Sequence, residues 1–455
     1  HFISYDNNID NNRIEKYWYK ILIQEKDKLP YIDIKIGIVG NVDSGKSTLI
    51  GVLTKGCQDN GRGLARTTIL KHPHEKDTGR TSSIGHEIIG FDQEGKIIRQ
   101  KKNGKTIKWN EMIEQSKKII TFYDLAGHEK YLKTTIYGLS SFNLDYCLVM
   151  VGANMGLNHM TREHIMVCLS LQIPIIIVFT KMDITPLHIQ EENKRKIEMM
   201  CQRKIHKIPF YIKSIKDVHE WIRQKDSLLP IIEVSNVTLQ NMSILEYLLS
   251  VTYPRMIHEY ENKEFKLQID GKYNVTGFGT IVSGLVKSGK IKMNDTVYLG
   301  PNQYGQFIPT KIKSIHIKLK HENELNAGTY GCVCLRNIDR NIIKKGMVLI
   351  DDQLPQKVIR RFWAYIHIFR THSTTIKSNY QPFLHIENIR QTAKILSIEK
   401  MNTNNDNDTI IRNGDRAKVY MEFLYRGEYI QKHMKLLFRD GLMKASGIII
   451  DVESF

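Results

Sequence analysis

The stretch that most constrains this chain is Ile34-Lys35-Ile36-Gly37-Ile38-Val39 running into Gly40-Asn41-Val42-Asp43-Ser44-Gly45-Lys46-Ser47-Thr48. An apolar, β-branched run that ends at a glycine and continues into Leu49-Ile50 predicts a buried strand, a tight loop and the start of a helix. Gly40 and Gly45 let the backbone bend so that its N–H groups point inward at phosphate oxygens, helped by the helix N-terminus. Lys46 can then reach the β- and γ-phosphates, and the Ser47 hydroxyl can ligate Mg²⁺.

A phosphate loop needs a carboxylate from a neighbouring strand. The run Lys118-Ile119-Ile120-Thr121-Phe122-Tyr123 supplies one, ending in Asp124-Leu125-Ala126-Gly127-His128. Asp124 can hold Mg²⁺ through water, Gly127 can bring its N–H to the γ-phosphate with no side chain in the way, and His128 sits where an attacking water would be. Between these two stretches Cys57 to Ile84 is long, polar and punctuated by glycine, as expected of a segment that senses the γ-phosphate. A hydroxyl there completes the Mg²⁺ shell: Thr81 is the choice, with Thr78, Ser82 and Ser83 as local competitors.

Further along, Asp145 to Val151 reads as a buried strand, Asn158 to Leu171 as a helix, and Ile173 to Phe179 as a strand ending in Thr180-Lys181-Met182-Asp183. Guanine offers two adjacent donors that one carboxylate can accept, whereas adenine presents an unprotonated ring nitrogen, so Asp183 argues for GTP over ATP. The stem of Lys181 can cover the base. After the strand Pro230 to Val234, Ser235, Asn236 and Val237 can support the base from the other side.

At 455 residues the chain is too long for one ordinary core, and 41 % hydrophobic content is enough to fill two or three. A formal charge of +18 predicts attraction to polyanions, with RNA or a ribonucleoprotein surface favoured over a membrane. The six cysteines show no metal-ligand spacing and read as reduced, mostly buried thiols. Cys332 and Cys334, two apart in a strand, are expected to pack in a core. No signal peptide or run of eighteen apolar residues is visible, so a cytoplasmic location is expected. The chain starts at His1, and a natural N-terminus, with any targeting signal, is expected to lie outside it.

The ordered set Gly40 to Ser47, Thr81, Asp124 to His128, Thr180 to Asp183 and Ser235 to Val237 resembles the translational GTPases of the elongation factor Tu and elongation factor 1-alpha superfamily. More closely, Gly61-Arg62-Gly63, Gly79 to Ser83, Asp124 to Thr135 and Ile389-Arg390-Gln391-Thr392-Ala393 resemble its GTP-binding protein 1 and 2 branch. The resemblance spans residues 31–455. It implies an α/β P-loop GTPase domain, a mostly parallel sheet with helices on both faces, followed by two all-β barrel domains. The expected division is an N-terminal extension over 1–29, a GTPase domain over 30–254, a barrel over 262–350 and another over 357–455. Short alternating strands from Phe265 onward agree with it.

The resemblance further implies GTP and GDP as ligands, Mg²⁺ as cofactor, hydrolysis aided from outside, and aminoacyl-tRNA and the ribosome as partners of a monomeric factor. Lys46, Thr81, Gly127 and His128 carry the reaction in that reading. The other reading is a GTP-dependent adaptor for messenger RNA decay or another protein complex, carrying no tRNA; an exchange factor is a further partner class. No arginine finger in cis is assigned from the sequence. Thr180 stands where most relatives of elongation factor Tu have asparagine, so one side-chain hydrogen bond to the base or to the loop, worth about 1 kcal/mol of nucleotide affinity, is expected to be lost. Arg80 stands where elongation factor Tu has an apolar residue guarding the histidine. Asp43 matches an acidic position that helps bind a monovalent cation in some relatives. The minimal factor lacks the insertions near 91–118, read as a charged hairpin, and 201–229.

Overall fold

The computed structural model describes residues 31–70, 75, 81, 83–102, 105–255, 263–275, 277–369, 375–400 and 410–454. The N-terminal extension, Thr78, Arg80, Ser82 and the Asn402 to Asp408 run lie outside the described residues.

The first part is built on an eight-stranded sheet. Its strands are β1 (Ile32–Gly40), β2 (Gly85–Phe91), β3 (Ile97–Ile98), β4 (Lys118–Asp124), β5 (Tyr146–Gly152), β6 (Ile175–Thr180), β7 (Ile208–Ile212) and β8 (Leu228–Glu233), in the order β3-β2-β4-β1-β5-β6-β8-β7. From β4 to β7 all pairings are parallel, and β2 runs antiparallel to β4 and to β3. Ile34, Ile36 and Ile38 are fully buried on one face of β1 and Val39 on the other. Helices cover both faces, as a sheet of this composition requires. They are α1 (Lys46–Lys55), α2 (Leu64–Thr67), α3 (Trp109–Gln115), α4 (Leu132–Ser141), α5 (His159–Ser170), α6 (Leu187–Met200), α7 (Ile215–Arg223) and α8 (Met242–Val251). Because β1, β4, β6 and β8 are parallel, Gly40, Asp124, Thr180 and Glu233 end at one edge, where such sheets bind ligands.

The insertion near 91–118 is more than a hairpin. After the turn between β2 and β3 and a two-stranded ribbon pairing Lys101–Lys102 with Lys105–Thr106, it forms α3. Trp109, Met112 and Ile113 recur at helical spacing and pack on Ile88, Ile119 and Tyr31, which is why that stretch leaves the surface. Arg99, part of its basic run, is a structural group: Nε donates to the Leu53 carbonyl at 3.1 Å, and the guanidinium meets Glu246 at 2.5 Å. The segment 201–229 adds the edge strand β7 and α7, whose start carries a reciprocal cap between Ser214 and Asp217. Lys118, at the start of β4, is buried and donates to the carbonyls of Leu249, Ser250 and Thr252 at 2.6, 2.7 and 2.6 Å, closing the C-terminus of α8.

Two barrels follow. In the first, seven strands between Lys266 and Ile350 form one sheet whose members Thr296–Gly300 and Ile308–Ile317 also pair, so it closes on itself, and Lys290–Lys292 and Glu324–Asn326 form a separate ribbon. In the second, six strands between Ile359 and Ser454 form a closed barrel. Cys332 and Cys334 do share a face, but Val333 and Leu335 fill the barrel interior, so the sulfurs point outward; Cys334 Sγ lies 3.2 Å from the Phe278 carbonyl. All six cysteines are free.

The three parts meet at the two-residue turn Glu387-Asn388 between strands Phe383–Ile386 and Ile389–Lys400. The Glu387 carbonyl accepts from Ser140 and Ser141 of α4 at 2.8 and 3.3 Å. Its carboxylate pairs with Lys287 of the first barrel at 3.1 Å and accepts from Gln268, while Asn388 donates to the Ile269 carbonyl at 2.9 Å. A second tie joins Lys318 of the first barrel to Asp33 of β1 at 2.6 Å.

Candidate functional site

Gly40 (φ 148°), Asp43 (φ 58°) and Gly45 (φ 81°) take positive φ, which wraps the loop between β1 and α1. Asp43, a residue type that tolerates this conformation, lies exposed on that loop. The Ser44 hydroxyl donates to the Asn41 carbonyl at 2.8 Å, and Lys46 Nζ donates to the same carbonyl at 2.6 Å. Burial pushes the Lys46 ammonium down to about 8, against the pull of Asp124 and Asp43.

Ser47, Thr81 and Asp124 come from α1, the loop before β2, and the end of β4, and they converge. Ser47 Oγ donates to Asp124 Oδ2 at 2.6 Å and lies 3.0 Å from Thr81 Oγ1, which is 3.2 Å from the same carboxylate oxygen. Asp124 Oδ1 is buried without a partner among the described residues. Burial raises the Asp124 carboxyl above its ordinary range, against the Ser47 hydrogen bond, the Lys46 charge and the Thr81 hydrogen bond. Two hydroxyls and a carboxylate with an unsatisfied oxygen are an all-oxygen donor set of the kind a small hard cation takes, so these residues fit Mg²⁺. Among Thr81's competitors, Ser83 is engaged elsewhere, its amide and hydroxyl each 3.2 Å from Glu75 Oε1.

Gly127 packs on the phosphate loop so closely that a Cβ there would lie 2.5 Å from the Gly40 carbonyl oxygen. His128 follows, its Nδ1 accepting from the Lys130 amide at 3.1 Å. A neutral imidazole held this way carries its proton on Nε2. An open cleft runs between these groups, lined by Asp43, Lys46, Ser47, Thr81, Gly127 and His128, with Val42, Gly45 and Thr48 on the loop side. Arg66, at the end of the short helix α2, lines the same cleft. The sequence reading passed over it; the signal was the glycine pair Gly61 and Gly63 just ahead of it.

At the other end of the loop, Ser235 Oγ donates to Asp183 Oδ1 at 2.7 Å and accepts from the amides of Val237 and Thr238 at 3.2 and 3.0 Å. Lys181 adopts φ 61° directly before Met182 and Asp183. The Thr180 hydroxyl, fully buried, donates to the Ser44 carbonyl at 2.9 Å, so of the two bonds that the missing asparagine puts in question, to the base or to the loop, the one to the loop is made. The Asn236 side chain also lies against the loop, and a Cβ on Gly45 would meet its Nδ2 at 3.4 Å.

Residues 33–254 match the family described as the elongation factor Tu GTP binding domain, and residues 279–350 match elongation factor Tu domain 2. The chain is 39 % identical to GTP-binding protein 1 of Xenopus laevis over 96 % of its own length and 65 % of that protein's. It is 36 % identical to GTP-binding protein 2 of Homo sapiens, covering 94 % of this chain and 71 % of that one. Elongation factor 1-alpha of Thermoplasma acidophilum is more distant, at 25 % identity over 84 % and 87 %. Among solved structures, translation elongation factor SelB from Methanococcus maripaludis superposes with a TM-score of 0.64 at 18 % identity, covering 93 % of this chain and 80 % of that one, a likeness of fold. Identical at 36–39 % over nearly all of its own length to GTP-binding proteins 1 and 2, and spanning about two thirds of theirs, the chain belongs to the GTP-binding protein 1 and 2 branch of the elongation factor Tu and elongation factor 1-alpha superfamily of translational GTPases.

Proposed function

We propose that this chain binds GTP and GDP, hydrolyses GTP to GDP and phosphate, and works as an elongation factor 1-alpha-like monomer with tRNA on the cytoplasmic ribosome, in delivery or in ribosome rescue. The observation that carries the chemistry is the convergence of Ser47, Thr81 and Asp124, from three separate elements, beside Lys46 and His128 in one cleft. The units of the reading are a GTPase domain over 30–254 and barrels over 262–350 and 357–455.

Ser47 and Thr81 would hold Mg²⁺ directly and Asp124 through water. The ion would neutralise charge on the β- and γ-phosphate oxygens. Lys46 moves from the Asn41 carbonyl to the phosphates, and the amides of Gly40 to Thr48 surround them. Gly127 offers its N–H to the γ-phosphate. His128, with its proton on Nε2, donates to the oxygen of a water and so fixes its direction of attack without taking its proton. Asp183 accepts from the guanine N1–H and amino group, and Ser235 holds that carboxylate in place. Loss of the γ-phosphate frees Thr81 and Gly127, which shifts the preferred arrangement of the barrels against the GTPase domain. The net charge of +18 suits an RNA partner.

The test is GTP hydrolysis by the purified protein with and without ribosomes, with His128→Ala as control. Ribosome stimulation of at least about tenfold that the variant loses, while it still binds nucleotide, is expected. Equal turnover with and without ribosomes would sink the translational part, and unchanged stimulated turnover in the variant would remove His128 from its role.

A further inference from the structure

Between the base end and the phosphate end of the site runs an irregular segment whose backbone is unusually well held. At one end the Gln58 side chain donates to the Val237 carbonyl, and the Asp59 amide donates to the Asn236 carbonyl at 3.1 Å. The buried Asp59 carboxylate then accepts the amides of Gly61, Gly63 and Ala65 at 3.0, 3.3 and 2.9 Å. Asn60 Oδ1 accepts those of Arg62 and Leu64 at 2.9 and 3.3 Å. Gly61 and Gly63, at φ 77° and 86°, make this winding possible. Ala65 rests directly on α1, where Gly51 alone admits it: a Cβ on Gly51 would lie 2.2 Å from the Ala65 carbonyl oxygen.

All of this fixes the position of Arg66. Its carbonyl accepts from the amides of Ile69 and Leu70 at 3.1 and 3.2 Å. Its side chain folds back over Gly63, where a Cβ would come within 2.5 Å of Nε, and it lines the cleft shared by Lys46, Ser47, Thr81 and Gly127. Gly63, a glycine because of its positive φ, also leaves the guanidinium room to lie at the edge of the phosphate loop.

We propose that Arg66 is a cis-acting phosphate contact: its guanidinium meets the γ-phosphate oxygens of bound GTP and stabilises the charge that shifts during hydrolysis. The inference rests on the GTPase reading above. In the reaction, water forms a bond to the γ-phosphorus, the bond from that phosphorus to the β,γ-bridging oxygen breaks, and its electron pair stays on the β-phosphate of GDP. The water proton leaves with the phosphate product. Arginine suits the place because its planar fork can donate two parallel hydrogen bonds to a pair of phosphate oxygens in a fixed geometry, where an ammonium acts as a point charge.

The test compares wild type, Arg66→Ala and Arg66→Lys by affinity for fluorescent GDP and a non-hydrolysable GTP analogue, and by single-turnover GTP hydrolysis at saturating protein. Arg66→Ala is expected to hold GDP within about threefold of wild type yet hydrolyse GTP at least about tenfold more slowly, with Arg66→Lys recovering part of the loss. A rate in Arg66→Ala within about threefold of wild type overturns the proposal, whatever happens to affinity. If circular dichroism shows Arg66→Ala unfolded, Arg66→Lys decides: wild-type hydrolysis overturns the proposal, and slowed hydrolysis with intact GDP binding supports it. A wild-type protein that binds neither nucleotide would sink the GTPase reading first, and this inference with it.

Discussion

A Cβ on Gly127 would lie 2.5 Å from the ammonium nitrogen of Lys46. The same Cβ would also meet the Gly40 carbonyl oxygen at 2.5 Å and the Asn41 carbonyl carbon at 2.8 Å, and backbone atoms cannot swing aside as a lysine tip can. Gly127→Ala therefore has to displace the phosphate loop or the β4 terminus, a strain of about 1–3 kcal/mol. Affinity for a GTP analogue is expected to fall at least about tenfold. An unchanged dissociation constant in a fluorescence titration would show that the close approach has no bearing on binding.

Lys46 gives a pH signature. Burial lowers its ammonium to about 8 in the free site, and bound phosphates favour the charged form. Below pH 8 the lysine is charged in both states and affinity is level. Above it, binding must take up a proton, and GDP affinity is expected to drop about tenfold between pH 7 and pH 9. Calorimetry in two buffers of different ionisation enthalpy would register that proton; a flat profile across the interval contradicts the assignment.

Asp183→Asn is expected to turn the base preference from guanine toward xanthine, whose C2 carbonyl can accept from the new amide. Ser235, now donating to Asp183 Oδ1 at 2.7 Å, can keep donating to the amide oxygen, so the loop stays in place and only the base-facing group changes. Competition between GTP and XTP measures it: if their relative affinities stay as in wild type, Asp183 does not read the base.

Glu387→Ala removes the carboxylate that faces Lys287 and Gln268. Burial pushes this carboxyl up, but the Lys287 and Lys266 charges and the hydrogen bonds outweigh it and hold it below its ordinary value. Its stabilising effect is thus present above the unfolded carboxyl value and lost as pH falls through the lower, folded one. The site is partly solvated, so the expected loss near neutral pH is about 1–2 kcal/mol, visible as a lower melting temperature. Scattering should also show a larger radius of gyration for the variant. A variant as compact and as stable as wild type would mean that the turn's backbone contacts suffice.

The convergence of the candidate site's segments was legible because each piece is short and ends a strand: Gly40 to Thr48, Asp124 to His128 and Thr180 to Asp183 come to one sheet edge once the sheet order is right. The division into an α/β part and two barrels was implied by the resemblance, and the short alternating strands from Phe265 onward agreed with it. What escaped was set by long-range contacts or by irregular backbone. Arg66 reaches the cleft only through the winding around Asp59, which no period announces. The bond from Thr180 to the loop was not foreseen because the Ser44 carbonyl it meets is 136 residues away. Helix α3 has seven residues, too few for a confident period, and owes its existence to the pocket formed by Ile88 and Ile119.

The turn Glu387-Asn388 has a kinematic consequence. Three bodies joined in a row ordinarily flex at two independent joints. Here the tip of the last body is fastened to α4 of the first and to Lys287, Gln268 and Ile269 of the second, so the row is closed into a ring. A ring of three rigid pieces has no joint that can open alone. Motion that begins at Thr81 or Gly127 must therefore either leave all three in register or release this fastening together with the ties Lys318 to Asp33 and Lys435 to the Leu171 carbonyl.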